Sequence, residues 1–150
     1  MGTRSLTVIQ DIDYPKPSKS VPIPAGVVQE IVILYRQFDG YPEGHGKELL
    51  KFLAPFKLVN GYTSADDPHT TANGMGCLAA QIVAHFKKEG VGSFYLEPAG
   101  TRGCGEDYIY TVYPNKDNQI CVRGESVDGE KLFNGPVSEL QKDGWVGAIP

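Results

Sequence analysis

Two runs rich in β-branched and aromatic residues, TRSLTVIQ at residues 3–10 and VQEIVILYR at residues 28–36, flank a segment that carries four prolines. Val, Ile, Thr and Tyr suit a pleated, half-buried surface, so both runs read as strands. Proline has no N–H to donate to a ladder. The intervening DIDYPKPSKSVPIPAG therefore reads as an extended loop, an insertion at about 11–27. If the two strands pair antiparallel, the start of the first lies beside the end of the second, and Arg4 comes close to Tyr35 and Arg36.

The segment DGYPEGHG reads as a tight turn, and HGKELLKFLAPF sets Leu49, Leu50, Phe52 and Leu53 at helical spacing, with Pro55 as the limit. Residues 57–74 read mostly as loop. Asn73 is the expected N-cap of the strongest helix, MGCLAAQIVAHFKK, whose apolar stripe is Leu78, Ile82 and Phe86 and whose end is marked by Gly90. GSFYLEP, DYIYTVYP and QICVRGE read as strands, the first two joined by the Gly-rich GTRGCGED. A short strand near KLF and a short helix at PVSELQKDG close the chain. This order predicts an α+β domain with a mostly antiparallel sheet of about five to six strands and two main helices on one face. At 150 residues one core is expected, hence a single domain over 1–150.

A net charge of −4 lacks the positive field that general nucleic-acid or membrane-surface binding needs. No apolar run reaches the roughly 18 residues of a membrane-crossing helix. MGTRSLTVIQ has no signal-peptide layout, and Cys77, Cys104 and Cys121 are an odd set without CxxC spacing. Reduced thiols in a cytoplasmic protein are the expectation. No dinucleotide fingerprint or Walker A loop occurs, so no cofactor is expected. His69 with Asp66 and Asp67 has metal-ligand types but no second cluster to complete a site, and no metal is expected either.

Three segments are candidates for chemistry. NGMGC, with Asn73, Gly74, Gly76 and Cys77, opens a helix. A helix start offers unpaired N–H groups to an anion and would lower a thiol pKa; equally, Cys77 there can be a packed hydrophobe. His85 is eight residues further on, roughly 12 Å along the same helix, so a base for Cys77 has to come from His45 or His69 in the loops. YRQFDGYPEGHG supplies the Arg36 guanidinium, the Asp39 acceptor, the rings of Tyr35 and Tyr41, and His45 between two glycines. That mixture suits a ligand with a planar ring and a phosphate, or else a turn in which Arg36 and Asp39 pair with each other. GTRGCGED surrounds Arg102 with glycines, which either lets a ligand approach or serves a plain hairpin connection.

The motifs MGTRSLT, LYRQFDGYPEGHG, NGMGCLAAQIVAHFK and GSFYLEPAGTRGCGEDYIYTVY together resemble an uncharacterised family of small proteins of bacteriophages and bacterial genomes. The resemblance implies a phage or prophage setting, in the cytoplasm of a bacterial host, where small acidic domains often interfere with host defence. It implies no activity. The residues lead to non-catalytic binding of a small phosphorylated, nucleotide-type ligand by Arg4, Tyr35, Arg36, Asp39, Tyr41, His45, Asn73, Gly74, Gly76 and Arg102. In the phage setting, such a protein would sequester a host-defence nucleotide signal. The alternatives are a small hydrolase or transferase using Cys77 or His45, and an inhibitor that binds a host defence protein. A site shared between two chains of a homo-oligomer is compatible with so small a domain.

Overall fold

The computed structural model describes residues 2–15 and 26–142. Its centre is a six-stranded sheet made by β1 (Ser5–Asp13), β2 (Val27–Arg36), β5 (Phe94–Glu97), β6 (Tyr108–Pro114), β7 (Ile120–Ser126) and β8 (Lys131–Pro136). The strand order is β5-β2-β1-β6-β7-β8. β1 and β6 run parallel and the other neighbouring pairs are antiparallel. A separate parallel pair, β3 (Lys57–Val59) and β4 (Thr71–Asn73), brackets a loop beside the sheet. The helices are α1 (Lys47–Leu53), α2 (Gly74–Lys87) and α3 (Val137–Lys142). The architecture is α+β with a mostly antiparallel sheet, as the sequence predicts.

Strand alternation sorts the side chains into two unequal clusters. On one face Ile9, Leu34, Tyr110, Val112 and Val122 meet Leu49, Leu50 and Leu53 of α1 and Leu78, Ile82 and Phe86 of α2. Fully burying side chains of this size is worth about 1.5–3 kcal/mol each, so this face holds most of the apolar stabilisation. On the other face Leu6, Val8 and Ile33 form a small cluster with Tyr35, Cys104 and Ile109 packed against it.

Several boundaries differ from the sequence expectation. β1 runs on through residues 11–13, paired with Val27, Val28 and Gln29, so both ends of the expected insertion are strand. Residues 16–25 of that insertion lie outside the described residues. A bulge at Ile31, which the Ile9–Val32 and Gln10–Glu30 pairs leave unpaired, absorbs one residue and re-aims the strand beyond it. Residues 57–59 and 71–73, expected as loop, pair in a ladder too short for a sequence pattern to show. Asn73 does not cap α2: its side chain makes no cap bond and accepts the N–H of Gly61 at 2.8 Å.

GTRGCGED is not a hairpin turn. β5 lies on the sheet edge beside β2, whereas β6 lies beside β1 and points the same way as β5. Residues 98–107 must therefore cross β2 and β1, and Cys104 packs onto Leu6, Val8 and Ile33 as they do so. Glu106 is buried and folds the crossing segment by accepting the N–H groups of Cys104 at 2.6 Å and Gly103 at 3.1 Å. Gly105 has φ 81°, a backbone shape that favours glycine, and the Arg4 guanidinium lies over the place a Cβ would take.

Candidate functional site

The antiparallel register puts Ser5 opposite Arg36, so the chain near Arg4 does run beside Arg36. The side chains nevertheless part, because neighbouring strand residues point to opposite faces. Arg36 turns toward the helices and Arg4 toward Gly105 of the crossing segment. The predicted site residues consequently occupy three places.

The first is a buried network on the helix face. The turn after β2 puts Asp39 at φ 60°, and its carbonyl receives the N–H of His45 at 2.8 Å. A single wide helical turn, Pro42–Gly46, then carries the His45 ring inside before α1 begins. The ring is fully buried, with centroids 4.9 Å from Phe86 and 5.3 Å from Tyr110. Its Nδ1 lies 3.1 Å from an Arg36 nitrogen and its Nε2 lies 2.6 Å from the Thr7 hydroxyl. A guanidinium has only donors, so Nδ1 must accept; the proton of the neutral ring is then on Nε2 and is donated to Thr7. Burial, aided by the Arg36 charge, pushes the imidazole pKa down to about 3. Arg36 also donates to the Phe38 carbonyl at 2.6 Å, pairs with Glu48, and lies over the Phe94 ring. With both nitrogens engaged and no solvent contact, His45 is a structural hub. Tyr41 remains outside, its hydroxyl 3.3 Å from Asp39 Oδ1.

The second place is the opposite face. Arg102 pairs with Glu30 at 2.9 Å, and Gly100 N–H donates to the same carboxylate at 2.8 Å. The Arg102 hydrogen bond holds the Glu30 carboxyl below its ordinary pKa. Tyr35 lies on this face near Tyr95, ring centroids 6.1 Å apart, and its hydroxyl donates to Gln37. The amides of Gly103 and Cys104, which would otherwise suit an anion, already hold the Glu106 carboxylate.

The third is a groove of about 430 Å³ between α2 and the loop joining β3 to β4. Cys77 and Gln81, one helical turn apart on α2, line one wall together with Asn73 at the end of β4; Tyr62, Thr63 and Asp66 belong to the other. The loop is tied down from both ends. Asn73 holds Gly61, the Gln81 amide donates to the Thr71 carbonyl at 3.1 Å, and Lys57 pairs with Asp66 at 2.8 Å. Both Asp66 oxygens are engaged, one by Lys57 and the other by the Thr63 N–H. Gly74, at φ 82°, makes the sharp entry into α2, and no side chain caps the first turn. Cys77 Sγ has Gln81 Oε1 as its partner at 3.6 Å.

Of the predicted residues, Asn73, Gly74, Gly76 and Cys77 therefore belong together at the start of α2. Arg36, Asp39 and His45 belong together around the wide turn, and Arg4, Tyr35 and Arg102 lie on the far face. His45 contacts Phe86, nine positions after Cys77, which puts imidazole and thiol roughly 13 Å apart along the helix. Tyr62 and Gln81 escape a reading of local motifs. The only sequence signal for Gln81 is its position four residues after Cys77 and eight after Asn73. Among the described residues no group of three metal-ligating side chains is gathered, and no helix is long and apolar enough to cross a membrane. Compared with protein-family models, with curated proteins and with solved structures, the chain finds no match in any of the three.

Proposed function

We propose that the protein binds, without cleaving it, a small nucleotide-type ligand carrying a single phosphate in the groove between α2 and the β3–β4 loop. The carrying observation is the groove in which the exposed Tyr62 faces Asn73, Cys77 and Gln81, beside the uncapped start of a fourteen-residue helix. Unpaired first-turn N–H groups and the positive end of the helix dipole favour one anionic group there. Tyr62, 69% exposed, offers a ring face for stacking, while the Asn73 amide NH2 and the Thr63 hydroxyl are placed to donate to a base or ribose. Neither lysine nor arginine lines the groove, so a single phosphate matches it better than a polyphosphate. In the phage setting that the sequence resemblance implies, such a protein would sequester a nucleotide signal in the cytoplasm of the bacterial host.

Calorimetry against nucleoside monophosphates, cyclic dinucleotides and ADP-ribose tests the reading. The expected result is saturable binding of a nucleoside monophosphate, tighter than of the two-phosphate compounds and lost in Tyr62→Ala; no binding across the panel, preference for the two-phosphate compounds, or binding indifferent to that change, overturns it. A second reading, docking of a protein partner, draws on the exposed Val27, Val28 and Ile31 of β2 and Tyr95 and Leu96 of β5. It predicts that Leu96→Glu abolishes capture of a single stoichiometric host protein while nucleotide binding is absent.

A further inference from the structure

The loop between β3 and β4 has a second side. Thr63, Asp66 and Pro68 face the groove described above, whereas His69 and Thr70 face another, of about 510 Å³, bounded by α1 and the C-terminal half of α2. Its floor is aromatic. Phe52 and Phe56 lie with ring centroids 5.0 Å apart, and His85 stacks on Phe52 at 4.0 Å with the planes inclined by only 16°. A flat heteroaromatic ring thus already lies on this floor, which shows the geometry it accepts. The rim carries Lys51, His69 and Glu48. Glu48 is drawn to Arg36 of the buried network, so its charge is already matched. Lys51 has no ion pair among the described residues. The rim is therefore locally cationic in a chain whose net charge is −4.

We propose that this groove is a second binding site, for a small planar aromatic anion. The ring lies against Phe56 and the Phe52–His85 pair, and the anionic group is held by Lys51 together with His69. An aromatic floor contributes affinity for any ring, and the ammonium selects those that bear negative charge. This site is independent of the nucleotide reading, since it shares with that groove only the loop that separates them.

The experiment follows the ring resonances of His69 and His85 by NMR while phenyl phosphate is added, with inorganic phosphate and benzyl alcohol as separate probes. Saturable shifts at both imidazoles are expected with phenyl phosphate only. Lys51→Ala, an exposed change, should weaken binding roughly tenfold, the loss of one charge-assisted contact. Tyr62→Ala should leave it unchanged, which separates this site from the first groove. The proposal is overturned if phenyl phosphate gives no saturable shift, if inorganic phosphate alone reproduces it, if Lys51→Ala binds as the parent does, or if Tyr62→Ala removes binding.

Discussion

Around His45 both ring nitrogens have protein partners and the ring meets no solvent, whereas along Asn73, Cys77 and Gln81 the side chains secure a loop and leave the helix start uncapped. Both regions looked alike as sequence: a glycine-flanked helix start with polar and titratable residues. The difference lies in where polar capacity is spent. In the first, a charged guanidinium and a neutral imidazole satisfy one another in a low-dielectric interior, where an unmet partner is costly. In the second, side-chain bonds hold backbone segments apart and leave a volume between them.

Breaking the sealed region should produce the largest effect. His45→Ala removes a buried ring and strips partners from Arg36 and Thr7, so it should lower unfolding free energy by about 4 kcal/mol in a denaturant titration. Acid should do part of the same. An unfolded histidine titrates near 6.5 and the folded one at about 3, so between these values the unfolded chain binds a proton that the folded chain does not. Stability from this group is complete above about pH 6.5 and falls as pH drops toward 3, with about 2 kcal/mol gone at pH 5. Denaturation midpoints across that range should show the slope, and His45→Gln should flatten it.

The open region should answer in the opposite way. Tyr62→Ala should change stability by no more than about 0.5 kcal/mol, as an exposed substitution does, while removing ligand affinity in calorimetry. A stability loss like that of His45→Ala would erase the distinction between the two regions. The smallest effect concerns thiols. Burial pushes Cys121 up to about 11, so it should resist iodoacetamide until the chain unfolds, while the half-buried Cys77 labels in the folded protein. Bound ligand should slow Cys77 by a few-fold and leave Cys104 unchanged.

Much of the fold could be read in the sequence because it rests on local pattern. Leu78, Ile82 and Phe86 at helical spacing marked α2, and the β-branched runs marked β1 and β2 and their antiparallel pairing. What escaped depends on distant contacts or on side-chain parity. Nothing local in GTRGCGED distinguishes a turn from a segment that crosses two strands; the difference is the insertion of β1 and β2 between β5 and β6. Arg4 and Arg36 were legible as backbone neighbours, yet counting alternation from Leu6 and Val8 would already have put their side chains on opposite faces. His45 between two glycines suggested access. The wide turn that swings it beneath Phe86 leaves no sequence signature, and only the structure reveals it as interior. Asn73 had the residue type of a cap, but Gly61 offered it a partner from the other end of the loop.

The parallel pairing of β1 with β6 sets the timing of assembly. Ser5 meets Tyr108, about a hundred residues later in the chain. As the protein is synthesised, β1 can zip to β2 early, but its other edge has no partner until β6 leaves the ribosome, about 4–15 s afterwards at ordinary elongation rates. During that interval one edge of the hairpin is open to pairing with another chain. Contacts between such distant residues also slow folding of the finished chain. β1 is therefore translated well before both of its edges can be enclosed, and crowding of nascent chains is a condition that exposes this edge to misassembly.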